Sequence, residues 1–127
     1  MQKQEIVLTV SYLMMILLLQ GCLAAAVGAG AGTVAYMRGD LEAIETNDID
    51  TVYAATKKAI EQLELNLSSD TKDALSAEIV ARDAQDKKII IKLKSTTEST
   101  TEISIRVGTF GNETKSRLIH DQIKNNL

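Results

Sequence analysis

Residues able to do covalent, metal or proton chemistry are few in this 127-residue chain, and each stands nearly alone. One cysteine, Cys22, and one histidine, His120, exclude an internal disulfide framework and a Cys/His zinc cluster. His120 is followed by Asp121, but adjacent residues of a helix point to different sides, so no Ser/His/Asp or Cys/His arrangement follows from spacing. The expected place of His120 is a surface or half-buried position beside the apolar stripe of the last helix. Asp70, Asp73, Asp83 and Asp86 read as turn formers. None sits in the pattern of a calcium loop, with its alternating oxygens, central glycine and closing glutamate. Gly28-Ala29-Gly30-Ala31-Gly32 invites a phosphate-loop reading and fails it. Its third glycine comes one position early for a dinucleotide fingerprint, and the Gly-Lys-Ser/Thr of a Walker loop is absent. Asn66-Leu67-Ser68 and Asn112-Glu113-Thr114 fit the glycosylation triplet, a short pattern that specifies little. The expectation is a non-enzymatic protein with no catalytic residues, no metal and no cofactor.

Cys22 is the exception, because its neighbours give it a task. Leu19-Gln20-Gly21-Cys22 resembles a bacterial lipobox. Leu19 ends an apolar run, Gly21 is small enough to pass a signal peptidase, and Cys22 offers a sulfur that a diacylglyceryl group can alkylate. Cleavage between Gly21 and Cys22 would free an amine for a further acyl chain. Ahead of the motif, Ile6 to Leu19 carries no charge, and Lys3 lies in the polar start. Charged start, apolar middle and small residue before the cut are the layout of a secretory signal. Fourteen residues at ~1.5 Å each fall short of a ~30 Å hydrocarbon core.

The expected organisation is a signal peptide over 1–21, a lipidated Cys22 with an Ala/Gly-rich tether over 22–33, and a small domain over 34–127. Two alternatives stand beside it. Cys22 can be an ordinary buried thiol. The stretch Ile6–Met37, free of formal charge, can be an uncleaved single-pass anchor. Under both membrane readings Lys3 and the amino terminus stay inside and the domain goes outside. Leu23 after the cysteine carries no aspartate-type retention signal, which in a Gram-negative cell favours the outer membrane, facing the periplasm. The Gly/Ala run is either a flexible spacer or a small-residue packing strip.

The elements that must position everything else lie beyond residue 33. From there the chain has three glycines and no proline, so turns fall to Asn, Asp, Ser and Thr. Thr33–Thr46 reads as one extended segment with a bulge or bend near Gly39. Asn47-Asp48 signals a helix start. Ile49, Val52, Tyr53, Thr56, Ile60 and Leu63 share a helical face, predicting a helix from about Ile49 to Glu64. The period then switches to two around Leu65–Leu67, Leu75–Ala81, Ile89–Leu93 and Ile103–Val107. Ser95–Thr101 reads as a wide hairpin loop. Gly108 to Asn112 breaks the last strand and caps a final helix with Leu118, Ile119, Ile123 and Leu127 on its apolar stripe. The fold class is α+β: an antiparallel sheet of about four to five strands, two helices on one face, order β-α-β-β-β-β-α.

The net charge is −3 and aromatics are 3% of residues, which together argue against nucleic acid as a partner. The strand positions facing outward are Glu78, Val80, Arg82, Lys88, Ile90, Lys92, Lys94, Glu102, Ser104 and Arg106. Arg82, Lys88, Lys92, Lys94 and Arg106 against two glutamates make a candidate binding face for an anionic envelope component or an acidic protein. The plainer reading is a solvated face with cross-strand charge pairs. Phe110, between Gly108 and Gly111, reads as a core plug, with a binding tip as the alternative.

Three segments beyond the Gly21-Cys22 junction are distinctive. They are Val34-Ala35-Tyr36-Met37-Arg38-Gly39-Asp40-Leu41-Glu42, Val52-Tyr53-Ala54-Ala55-Thr56-Lys57-Lys58-Ala59 and Ile103-Ser104-Ile105-Arg106-Val107-Gly108-Thr109-Phe110-Gly111. With them, nearly the whole chain resembles a family of small bacterial lipoproteins classed only as a domain of unknown function. The resemblance implies a lipoprotein and supplies no activity, cofactor or catalytic residue. The leading expectation is therefore a lipid-anchored envelope protein with an outward, non-catalytic domain that binds an envelope component or protein partner. A single-pass membrane protein is the first alternative, and a small envelope enzyme the second.

Overall fold

The structure is a computed structural model that describes residues 1–14 and 33–127. The chain divides into two compact units, residues 1–30 and 31–127. In the first, helix α1 (2–14) is exposed along its described length. At 1.5 Å per residue the described part spans ~20 Å, and no helix among the described residues is long and apolar enough to cross a membrane. Gly21, Cys22 and the Gly/Ala run lie outside the described residues.

The second unit is α+β, with six strands rather than four to five. The expected single extended segment at 33–46 is a hairpin: β1 (Val34–Met37) pairs antiparallel with β2 (Asp40–Glu45). Its two-residue turn holds Arg38 at φ 57° and Gly39 at φ 91°. Two successive positive φ values give the turn whose twist matches the flanking strands. The order therefore opens β-β-α instead of β-α.

Helix α2 (Ile49–Gln62) starts at Asp48, whose carboxylate accepts from the Thr51 N–H at 3.1 Å. It stops two residues earlier than expected: the Leu63 N–H returns to the Ala59 carbonyl, and Glu64 turns the chain at φ 55°. Ile49, Val52, Ala55, Thr56, Ala59 and Ile60 are its buried face.

β3 (Asn66–Lys72) extends well past the expected Leu67, and Asp70 lies on this strand, not in a turn. β4 (Ser76–Arg82), β5 (Lys88–Thr97) and β6 (Thr100–Val107) follow as a meander. The expected wide loop at 95–101 is mostly strand, irregular between Ser95 and Thr97 and turning at Glu98-Ser99. Threonine's branched side chain suits a pleated surface, so the run pairs instead of looping.

The sheet order is β1-β2-β6-β5-β4-β3, antiparallel throughout. Helices α2 and α3 (Glu113–Lys124) pack on one face of it, as expected. Leu41, Ala43, Ile79, Ile89, Ile91, Leu93, Ile103 and Ile105 meet Val52, Ala59, Ile119 and Ile123 in the core. Each fully buried aliphatic side chain stabilises the fold by about 1.5–3 kcal/mol relative to exposure. Among the described residues, every core residue lies between Leu41 and Ile123.

In α3, Ser116, Ile119, His120 and Ile123 face the core, an i, i+3, i+4, i+7 set. Leu118 falls off that face and is 57% exposed, and Leu127 is also exposed. The expected stripe was therefore right at Ile119 and Ile123 only.

Candidate functional site

Strand register decides what the five candidate cations can do. Arg82, Lys88, Lys92, Lys94 and Arg106 do share the sheet face opposite the helices. They do not share it alone. The β1–β2 hairpin brings Asp40 and Glu42 onto the same face, opposite Arg106 and Ser104. Across β4 and β5, Glu78 pairs in register with Lys92, and Glu102 of β6 with Lys94. Five cations thus meet four carboxylates, and the strong basic excess expected here shrinks to one charge. Asp40 and Glu42 escape a count along the sequence because one extended segment at 33–46 folds into two strands.

Arg106 is fully committed. Its Nε and Nη2 donate to the two Asp40 carboxylate oxygens at 2.8 and 3.0 Å. Nη2 also donates to the Arg38 carbonyl at 2.9 Å, and Nη1 to the Thr109 carbonyl at 2.9 Å. The Asp40 carboxylate beside it holds the guanidinium charge even more firmly than usual. Arg82 Nη1 donates to the Asp86 carbonyl at 3.0 Å and makes a loose, exposed pair with its carboxylate at 3.4 Å. Between Glu42, Glu78, Lys92, Lys94 and Glu102 the face dips into an open concavity of about 880 Å³. Leu75 and Ser104 also line it. Such a surface offers both charges and some apolar area, which suits a partner that carries both charges too.

The register places the β1–β2 turn, the β4–β5 turn and the β6–α3 loop at one end of the sheet. Arg106 knits the first and last of these together. Gly39 and Gly111 allow the knot: a Cβ on Gly111 would lie 2.2 Å from the Gly39 carbonyl oxygen and 2.6 Å from Tyr36 Oη. Both glycines also hold positive φ, 91° and 81°. Asn112 then caps α3, accepting from the Lys115 N–H at 3.0 Å, and Lys115 Nζ donates to Asp83 at 2.7 Å. The expected core position of Phe110 is overturned: it is 92% exposed. With the flanking backbone fixed by the knot, its side chain is carried outward. Nothing in residue type forecasts that, since phenylalanine ordinarily seeks the interior.

His120 is also misplaced by the sequence reading. It is 2% exposed, and its Nε2–H donates to Glu45 Oε1 at 2.6 Å. Ser116, one turn away on the same face, is fully buried, and its Oγ has no hydrogen-bond partner. Serine, histidine and glutamate are the residue types of an acyl-transfer triad. Here the serine makes no bond to the histidine, and burial closes both from solvent. The observed role of the Glu45–His120 pair is to tie the end of β2 to α3 across 75 residues of sequence.

The remaining aspartates are structural as well. Asp73 Oδ1 accepts the Leu75 and Ser76 N–H groups, each at 2.9 Å, and Asp83 Oδ1 those of Gln85 and Lys87. Asp86 turns the β4–β5 connection at φ 62°. Asp70 accepts from Tyr53 Oη at 2.9 Å and pairs with Lys57, while Lys72 pairs with Asp50 at 2.6 Å. These bonds fasten the polar edge strand β3 to α2. The Lys57 ammonium holds the Asp70 carboxyl below the usual 3.8, with Tyr53 assisting. Thr51, Leu75 and Lys115 do the same for Asp48, Asp73 and Asp83 through the hydrogen bonds each donates. Among the described residues no group of three or more His, Cys, Asp or Glu could hold a metal ion.

A family model described as "Protein of unknown function (DUF3568)" matches residues 5–126, and the chain belongs to that family. No curated protein matches the chain.

Proposed function

We propose that this member of the DUF3568 family is a lipid-anchored envelope protein whose α+β domain, outside the cytoplasmic membrane, binds a partner without catalysis. The single observation that carries the anchor is Leu19-Gln20-Gly21-Cys22 directly behind the uncharged run Ile6–Leu19. A cysteine carrying two or three acyl chains would hold the domain stably, at ~0.8 kcal/mol per buried CH₂. Leu23 after it points to the outer membrane in a Gram-negative envelope. The binding role is supported by the open, mixed-charge concavity on the sheet face. The non-catalytic role is supported by how the reactive residue types are spent: His120 on Glu45, Ser116 in the core, and the aspartates on turns and strand contacts. The partner that fits is an envelope component or protein carrying both charges, not a polyanion.

The anchor is tested by Cys22→Ser in the full chain. Loss of labelled fatty acid incorporation, with the larger precursor accumulating, is the expected result. Unchanged processing and unchanged detergent-phase partitioning of the variant would refute it. For the face, Lys92→Glu with Lys94→Glu should release partners captured by crosslinking in cells. Retention of the same partners would sink that assignment. Arg106 is unsuited to this test, because its removal would loosen the loops it joins.

A further inference from the structure

The loop end of the sheet holds a second surface, unlike the concavity in kind. Phe110, the only phenylalanine of the chain, projects there with 92% of its area exposed. Around it the pairs Arg106–Asp40, Lys115–Asp83 and Arg82–Asp86 are internally neutral. Arg38, Lys87 and Lys88 make no ion pair with any described residue. Lys87, Lys88 and Phe110 line one shallow groove of about 450 Å³ together with the paired Arg82 and Asp86. Arg38 sits in the turn that packs against the Phe110 backbone through Gly39. The result is an exposed apolar side chain above a groove lined by two lysines without ion pairs, with a third such cation, Arg38, in the adjoining turn.

We propose that this end is a contact site for an anionic lipid bilayer surface. A small ligand needs a cavity that encloses it, and here the apolar group protrudes. A fluid amphiphilic surface accepts a protrusion: the ring enters the acyl boundary while the cations stay at phosphate level. Charge complementarity is local. The domain keeps the chain's net −3, since Lys3 and Glu5 of the N-terminal unit cancel, but charges more than ~10 Å away are largely screened at ordinary ionic strength. The site rests on this end's geometry and not on the Cys22 anchor.

The test uses residues 31–127, one compact unit that holds every core residue among the described ones. Flotation with phosphatidylcholine vesicles, with and without phosphatidylglycerol, gives the partition coefficient. Binding is expected only to the anionic vesicles and should fall with salt. Lys87→Gln with Lys88→Gln should lower it by about fivefold per cation removed. Phe110→Ala should lower it by roughly tenfold or more, with an unchanged circular dichroism spectrum because the ring touches no core. The chain has no tryptophan, so Phe110→Trp supplies a single reporter. Its emission should shift to the blue on anionic vesicles, while Leu75→Trp, at the opposite end of β4, should not. Equal partitioning into neutral vesicles would overturn the proposal, as would an unshifted Phe110→Trp spectrum. Absence of vesicle binding alongside a protein partner lost on Phe110→Ala would overturn it in favour of protein docking. Failure here leaves the Cys22 result untouched, because the fragment lacks that residue.

Discussion

The sheet's outward face and its loop end carry similar side chains and dispose of them oppositely. On the face, Lys92 and Lys94 stand in register with Glu78 and Glu102, beyond salt-bridge distance, and Arg106 is locked in a bidentate pair with Asp40. At the loop end, Lys87 and Lys88 lie beside an exposed aromatic ring, and Lys88 stands in register with Arg82 instead of an acid. The difference comes from register and turn geometry, not from composition. A count of basic residues along the chain points to the face; the structure shifts the uncompensated charge to the end. Charge patterning therefore becomes a functional argument only after each cation has been assigned its partner.

Gly111→Ala should have the largest effect on that contrast. The added carbon would overlap the Gly39 carbonyl at a positive φ, so the loop end must open. A loss of about 2–5 kcal/mol is expected in urea unfolding. Ser104→Ala on the outward face should change stability by less than ~0.5 kcal/mol. Equal effects would mean that the two regions are not built differently.

The buried pair sharpens the comparison from the interior side. Glu45→Ala leaves the His120 ring nitrogen without its partner in a closed site, and should cost about 1–3 kcal/mol. His120→Gln, which keeps a donor, should cost less. If both substitutions are neutral, the bond between β2 and α3 does not hold the fold.

Arg106→Gln should lower the melting temperature more than Lys92→Gln. Arg106 joins two loops by four hydrogen bonds, whereas Lys92 is exposed on the face. A larger effect at Lys92 would reverse the assignment of rigid and solvated regions.

Acid should act on the turns and the β3–α2 contact. Asp48, Asp70, Asp73 and Asp83 have carboxyls held below 3.8 in the folded chain. Their stabilisation is complete above the unfolded value and is lost as pH falls through the lower folded values. Stability should therefore decline below about pH 4, and Asp70→Asn should flatten part of that decline. An identical acid limb in Asp70→Asn would remove Lys57–Asp70 from the account. The smallest effect is expected for Phe110→Ala, whose stability should stay within ~0.5 kcal/mol of the parent.

The elements legible in the sequence are those with one covered face. Strands β4, β5 and β6 alternate because the helices bury every second residue, and α2 shows its period for the same reason. The caps at Asp48 and Asn112 are local chemistry and were readable too. β3 was not, because neither side of Asn66–Lys72 meets the apolar core and its partners Tyr53 and Lys57 are polar. The hairpin at Arg38-Gly39 hid because an arginine with positive φ leaves no mark in residue type. His120 and Phe110 were exchanged, the polar ring inside and the apolar ring outside. A carboxylate 75 residues away explains the first, and a knot of three backbone segments the second. Both depend on long-range contacts that no local pattern encodes.

The most direct measurement is the intact mass of the mature chain extracted from membranes. The account predicts a chain that begins at Cys22 and carries added diacylglyceryl and acyl mass on that residue. A chain that retains Met1 with an unmodified Cys22 thiol would contradict it.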